Sequence, residues 1–344
     1  MTNLYAVGIG VGTQNSQGEW LEVFYPAPLL DPSASIQTAL STLATPSGND
    51  SLVDLDSDTL NSLASAFDEQ GESAQAQLTR QLVDSTKPVV AVLLASDNEP
   101  SSVPAAYLKL HLISHRLVKP HGTNLGGIFG VLPNVAWTNE GAIDLAELSE
   151  RQLAARLQGT SLQVNCVDKF PKMTDYVVPG GVRIADTSRV RLGAYIGEGT
   201  TIMHEGFVNF NAGAEGPNMI EGRISAGVFV GAGSDLGGSS STMGTLSGGG
   251  NIIISVGKEC LLGANAGIGI PLGDRCTVEA GLYITAGTKV LMLDEQQNRV
   301  TETKARDLAG KSDLLFRRNS MSGAVECLTN QTAVELNKAL HAHN

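Results

Sequence analysis

The sequence predicts an α/β N-terminal domain, then a left-handed parallel β-helix (a hexapeptide-repeat solenoid), then a short C-terminal β/α extension. Three observations predict it. Aliphatic residues recur every sixth position from Val178 to Val208. A glycine directly follows many of the repeat aliphatics, as at Gly197, Gly231, Gly263 and Gly273. The chain also carries 39 glycines but only 5% aromatic residues, which suits thin repeated layers better than one bulky core.

At 344 residues the chain exceeds what one core usually holds, so several domains are expected. The boundaries read as 1–165 for the α/β domain, 166–295 for the solenoid and 296–344 for the extension. In the first domain, Trp20–Tyr25 and Val89–Ala95 read as strands. Ser57–Val83, Pro104–Leu117 and Ile143–Leu157 have apolar residues at helical spacing, and core packing accounts for those stripes. The run Gly8-Ile9-Gly10-Val11-Gly12 tempts a nucleotide-loop reading. It lacks the G-x-G-x-x-G spacing and opens no helix, so a Gly-rich strand or turn is expected.

The solenoid signal is the period itself. Val178, Ile184, Val190, Ile196, Ile202 and Val208 hold one phase. Each short strand of a triangular coil sends one aliphatic side chain inward, and stacked coils bury what no single coil can. The register breaks across Ala214–Gly222 and again across Gly244–Asn251. It resumes between them at Ile224, Val230 and Leu236, and afterwards at Val256, Leu262 and Ile268, then slips by two residues and continues at Leu272, Val278, Ile284 and Val290. Such excursions are where a solenoid reaches ligands or neighbours. A polar stretch, Thr301–Cys327, follows the last coil and is rich in Lys and Arg. Ala333–His343 reads as a terminal helix.

Charge and cysteines exclude several classes. A net charge of −12 argues against nucleic acid and anionic membrane surfaces as partners. No C-x-x-C pair exists among Cys166, Cys260, Cys276 and Cys327, so reduced thiols are expected rather than a zinc site or a disulfide framework. The N-terminus lacks the features of a signal peptide and no stretch is long enough to span a membrane, so a cytoplasmic protein is expected.

Several long strings point further: the segment from Met173 through GVRIADTSRVRLGAYIGEGTT, then MHEGF, MIEGR, LGANAG, VEAG, TAGTK and FRRNS. Together they resemble the tetrahydrodipicolinate N-succinyltransferases, in their longer form with an α/β N-terminal domain. The resemblance is close over about residues 165–344. WLEVFY and YLKLHLISHRLVKPH extend it into the first half. It implies transfer of the succinyl group of succinyl-CoA to the amino group of ring-opened tetrahydrodipicolinate, in lysine and diaminopimelate biosynthesis, by a homotrimer with sites between adjacent β-helices.

The same resemblance implies residue roles. Glu221 matches the catalytic carboxylate, as nucleophile or as base. Arg223, Gly238, Ser241, Ala264, Glu279, Ala280, Gly287, Lys304, Arg317, Arg318, Asn319 and Ser320 match the acyl-CoA contacts. Gly244 is a candidate oxyanion donor. Glu205 matches a carboxylate that meets its symmetry mates at the trimer axis and can bind Mg²⁺. The companion aspartate of some members is replaced here by Ser188. His204 is the alternative base. Other acyltransferases of this fold, a three-histidine carbonic anhydrase and a non-catalytic scaffold remain as rival readings; the single solenoid histidine opposes the second.

Overall fold

The computed structural model describes residues 4–43, 50–244 and 252–329. The chain forms two compact units. One comprises Met1–Val118, Gly122–Pro171 and Asp175–Val177. The other takes Lys119–His121, Lys172–Thr174 and everything from Val178 onward. The strand Val164–Asp168, which straddles the expected 165/166 boundary, pairs within the first unit.

The first unit is built on an antiparallel sheet. Its central strand, Ala6–Gln14, lies between Trp20–Phe24 and Val89–Leu94. Alternation along that strand sends Val7 and Ile9 into a core shared with Leu60, Leu63 and Phe67. The opposite face needs glycine, because a Cβ on Gly8 would lie 2.6 Å from the Tyr25 ring. The Gly-x-Gly run is therefore a packed strand. The expected helix over Ser57–Val83 is two helices, Ser57–Glu69 and Ser73–Leu82, parted at Gly71, whose φ is +77°. The stripe at Pro104–Leu117 forms the buried helix Val103–Ser114.

One stripe departs from expectation. Ile143 belongs to the strand Gly141–Asp144, and the helix begins only at Leu145, where Asp144 caps it by accepting from Ala146 N. That helix, Leu145–Leu157, buries no residue, and Leu153 and Leu157 are 59% and 79% exposed. Its apolar stripe packs only partly: Leu148 and Ala155, half-buried, rest on the small core of Ala136, Ile143 and Leu162.

The second unit is the left-handed parallel β-helix. Three parallel ladders carry three inward columns. The first runs Ile184, Ile202, Ile220, Leu236, Leu262, Val278, Phe316. The second runs Val190, Val208, Ile224, Thr242, Ile268, Ile284. The third includes Ile196, Ala214, Val230 and Val256. Val178 is not part of the stack: it is 71% exposed, so the interior starts at Ile184. One corner column satisfies backbone groups that the turns leave over. There Asn218 Nδ2 donates to the carbonyls of Gly231 and Ser234, and Ser234 Oγ donates to Gly257 O.

The supposed break at Ala214–Gly222 is much smaller than the sequence suggests. Ala214 and Ile220 both point inward and keep the sixfold phase. The only change is at the next corner, where the inward step from Ile220 to Ile224 takes four residues instead of six. Glu221 is therefore part of the coil and not of an excursion: its N–H donates to Leu236 O, and Gly222 O accepts from Phe207 N. The second excursion, from Thr245 to Asn251, and the expected terminal helix Ala333–His343 lie outside the described residues. After the last coil, strands Lys289–Leu293 and Arg299–Lys304 form a hairpin, and Leu314–Arg318 pairs with Val325–Thr329.

Candidate active site

The short corner makes a notch. In the coil below, Met203-His204-Glu205-Gly206 rounds the same corner; in the coil above, Gly237-Gly238-Ser239-Ser240 does so. Between them Glu221-Gly222 takes the inside track. The result is a recess of about 540 Å³ lined by Arg189, Glu205, Phe207, Gly222, Arg223, Ser239 and Ser240. Its floor must be glycine, since a Cβ on Gly222 would come within 2.1 Å of Ser240 Oγ. Ser239 rounds the upper lip in the left-handed region, at φ +59°.

The side chains around this notch are held in place. Arg223 pairs in register with Ser241, and its Nε donates to Ser241 Oγ at 3.2 Å. Thr242 stands where an inward aliphatic would, and its buried hydroxyl is used. It donates to Arg223 O at 3.1 Å and accepts from Ser225 N at 3.1 Å. The strand bearing Arg223 is thereby pinned to the coil above. Glu221 Oε2 faces Gly238, where a Cβ would lie only 3.5 Å from it. Arg189 donates to the carbonyls of Glu205 and Gly206, at 2.9 and 3.2 Å.

The remaining expected contacts follow one edge of the prism. Glu221, Gly237, Gly263, Glu279 and Arg317 occupy the same corner position in successive coils, and Gly238, Ala264, Ala280 and Arg318 the next. Small residues thus form a track between two carboxylates. At about 4.8 Å per coil, Glu279 lies roughly 14 Å along the axis from Glu221. At the far end the cationic groups are ordered by an anion. Glu326, 7% exposed, accepts from Arg317 Nε at 2.9 Å and from Asn319 Nδ2 at 2.8 Å. Burial works to raise its carboxyl, but these bonds prevail and hold it below the usual range. Glu279 accepts from Arg318 N at 2.6 Å. Gly287, Lys304 and Ser320 are exposed near this end, and Gly244 follows the strand Ser241–Thr242 above the notch.

Sequence reasoning missed Glu326, whose only signal is its place opposite Arg317 in the final strand pair. It also missed Arg189, Ser240 and Tyr283. The Tyr283 ring covers Gly267, where a Cβ would meet it at 2.1 Å. His204 is exposed on the lower lip; neither it nor Glu221 is among the residues that line the recess, but Glu221 adjoins Gly222 at its floor. Among the described residues no three His, Cys, Asp or Glu side chains converge as a metal site, and no helix is long and apolar enough to cross a membrane. The four cysteines are free; Cys166 is exposed and the other three are buried.

This architecture and these motifs have counterparts among known proteins. Family models described as the N-terminal and middle parts of tetrahydrodipicolinate N-succinyltransferase match residues 56–130 and 132–172. A model of the hexapeptide repeat of succinyl-transferase matches 253–286. A 2,3,4,5-tetrahydropyridine-2,6-dicarboxylate N-succinyltransferase of Pseudomonas paraeruginosa is 70% identical over 99% of both chains. One of the same name from Vibrio cholerae is 59% identical, again over 99% of both. A solved Campylobacter jejuni structure, assigned as a 2,3,4,5-tetrahydropyridine-2-carboxylate N-succinyltransferase, superposes with a TM-score of 0.88 at 34% identity. It covers 97% of this chain and 94% of its own. With relatives this similar along its whole length, the chain belongs to the tetrahydrodipicolinate N-succinyltransferase family.

Proposed function

We propose that the notch beside Glu221 is where the enzyme's acyl transfer takes place. The chain is a succinyltransferase of lysine and diaminopimelate biosynthesis, acting on 2,3,4,5-tetrahydropyridine-2,6-dicarboxylate with succinyl-CoA as co-substrate. The observation that carries the site is the four-residue corner. It is the one place on this edge where the coil gives up two residues, and it sets two arginines, two serines and the Glu205 carboxylate around one recess, with Glu221 next to Gly222.

The reaction is balanced by few groups. The acceptor's amino nitrogen bonds to the thioester carbonyl carbon, the C–S bond breaks, and CoA leaves as the thiol after gaining a proton. Glu221 takes the amine's proton as base or, as nucleophile, first carries the succinyl group as a mixed anhydride. Arg189 and Arg223 supply positive charge for the carboxylates of both substrates. The glycine and alanine track lets the pantetheine arm lie against backbone, along Gly238, Ser241, Ala264, Ala280 and Gly287. Glu279, Lys304 and Arg317–Ser320 receive the nucleotide end.

The assembly we propose is a cytoplasmic homotrimer, in which a neighbour closes each notch. A single chain offers Mg²⁺ only Glu205, with an arginine bonded to the adjacent backbone, which is not a cation site by itself. Three copies of Glu205 around an axis would repel one another unless a cation or protons intervened. No catalytic step depends on that ion.

Glu221→Gln tests the assignment. The variant should fold, assemble and bind CoA as the wild type does. Thiol release from succinyl-CoA, dependent on tetrahydrodipicolinate, should fall at least ~10²-fold in kcat. A burst of one thiol per site from succinyl-CoA alone marks the nucleophile; its absence marks the base. A near-normal kcat would remove Glu221 from the chemistry.

A further inference from the structure

Another recess, of about 340 Å³, opens on the far edge of the face that carries Ile202 and Ile220, across that face from the notch. Its lining includes Val182, Arg183, Thr200, Pro217 and Met219. Thr200 breaks the rule of its corner column. The next four members, Asn218, Ser234, Cys260 and Cys276, each donate to a carbonyl of the coil above. The acceptors are Gly231 O at 2.8 Å, Gly257 O at 2.7 Å, Gly273 O at 3.1 Å and Lys311 O at 3.2 Å. Thr200 is 1% exposed, and its N–H and carbonyl are both bonded within the coils. Its hydroxyl, however, is buried with no partner among the described residues. An unpaired buried hydroxyl costs stability that a valine of nearly the same shape does not incur. Because it makes no bond where it lies, turning it toward the recess forfeits none.

Two charges of opposite sign stand beside that hydroxyl. Arg183 is exposed, in register with Thr201 and Met219 on the outer face. Glu198 is exposed at the rim, over Gly181, where a Cβ would lie 2.6 Å from its Cγ and 3.2 Å from its Oε1. Among the described residues neither side chain has an ion-pair or hydrogen-bond partner, and the two do not pair with each other. A simple anion would meet Glu198 as well as Arg183, and a simple cation the reverse; a zwitterion suits both. We propose that this recess binds an α-amino acid with an unbranched aliphatic side chain. The Arg183 fork and the Thr200 hydroxyl take its carboxylate, Glu198 takes its ammonium group, and the side chain lies against Val182, Pro217 and Met219. The volume suits a molecule of that size.

The test is thermal melting of the full chain across a series of concentrations of L-norleucine, and of hexanoate, which lacks only the ammonium group. Norleucine should raise the wild-type melting temperature progressively, as any ligand of the folded state does. Hexanoate should need about tenfold more to give the same rise. Arg183→Gln should weaken the response to both probes about tenfold. Glu198→Gln should weaken the response to norleucine alone, so that the two probes become equal. Thr200→Val should melt higher than wild type without ligand, having lost an unpaired buried hydroxyl, and yet respond less to norleucine. Arg223→Gln, in the notch, should respond as wild type does. Four results would overturn the inference. They are no wild-type response, an unchanged response in Arg183→Gln and Glu198→Gln, a loss in Arg223→Gln instead, or a Thr200→Val protein that melts lower without ligand.

Discussion

The two units bury apolar surface at opposite ends of the size scale. The largest fully buried side chains among the described residues, Tyr25, Tyr107, Phe67 and Lys109, lie in the first unit; the solenoid contributes Phe316. The first unit also buries polarity: Lys109 pairs with Asp97, and His111 sits between two backbone groups. The solenoid instead stacks single aliphatic residues and settles its corners with small hydroxyl, amide and thiol groups. In such a stack every inward position is equivalent, so a departure from the rule stands out. The four-residue corner is one departure, and Thr242 inside the second column is another. Both border Glu221 or Arg223, whereas a second four-residue step, from Ile268 to Leu272, falls at a different edge. The first unit has no such rule to break, and its irregularities do not point to a site.

The sharpest way to break this comparison is to repair the corner. Inserting Gly-Ser between Gly222 and Arg223 restores the six-residue step that every other coil takes at this edge. The coil should still close, because six is its ordinary length. The notch would fill, however, and Glu221 would ride outward with the longer turn. Activity should fall at least ~10²-fold, since misplacing a reacting group by about an ångström costs that much. Circular dichroism and the assembly's mass should stay those of the wild type. An insertion variant with normal kcat would separate the notch from catalysis.

Core truncation sharpens the contrast in packing. Leu236→Ala and Leu63→Ala should each cost about 2–5 kcal/mol, as buried leucine truncations do. The damage should be distributed differently. Leu236 rests on Ile220 and Leu262 in its column, and solenoid stability is close to a sum over neighbouring repeats. Hydrogen exchange should therefore quicken most in the coils on either side, at the amides of Glu221 and Gly237. Leu63 belongs to a cluster that spans helices and sheet, so its loss should quicken exchange throughout the first unit. Equal spread in both variants would deny the solenoid its one-dimensional character.

The same contrast explains what could be read in advance. The β-helix was legible because the inward position repeats in the sequence itself. Ala214 was lost from the pattern because a methyl group does not register as a core aliphatic. The step from Ile220 to Ile224 looks like a break on a line of letters, whereas in the coil it is a tighter corner. The roles of Glu221 and of the track residues came from family motifs, and only the structure adds that they share one edge. Glu326 and Arg189 act through contacts with residues nine and sixteen positions away, which no local period reveals. In the first unit the stripe at Leu145–Leu157 packs Leu148 and Ala155 on a small core but leaves Leu153 and Leu157 exposed, because helical spacing records amphipathicity without saying how far the apolar face is covered.

A smaller effect should separate the units by pH. His111 is fully buried: its Nε2 accepts from Tyr25 N at 3.2 Å, and its Nδ1 lies 2.7 Å from Tyr107 O. Those two bonds define a neutral ring with the proton on Nδ1, and protonating Nε2 would destroy the first of them. Burial accordingly pushes its pKa down from 6.5 to about 3, with the neighbouring His115 adding to the depression. His115 is itself lowered by burial. A histidine depressed on folding leaves stability intact above the unfolded value. Stability is then lost as pH falls from 6.5 toward 3, because the unfolded chain takes up the proton first. The slope approaches about 1.4 kcal/mol per pH unit for one group. Glu22, raised by burial, works in the opposite sense as pH drops toward its own range, so the loss should be clearest between pH 6.5 and 5. Acidification over that window should thus lower the melting of the first unit while the β-helix transition stays nearly level, and His111→Gln should flatten the first response at some cost in stability. A first unit equally stable at pH 5 and pH 7 would show that His111 is not held neutral by its two backbone bonds.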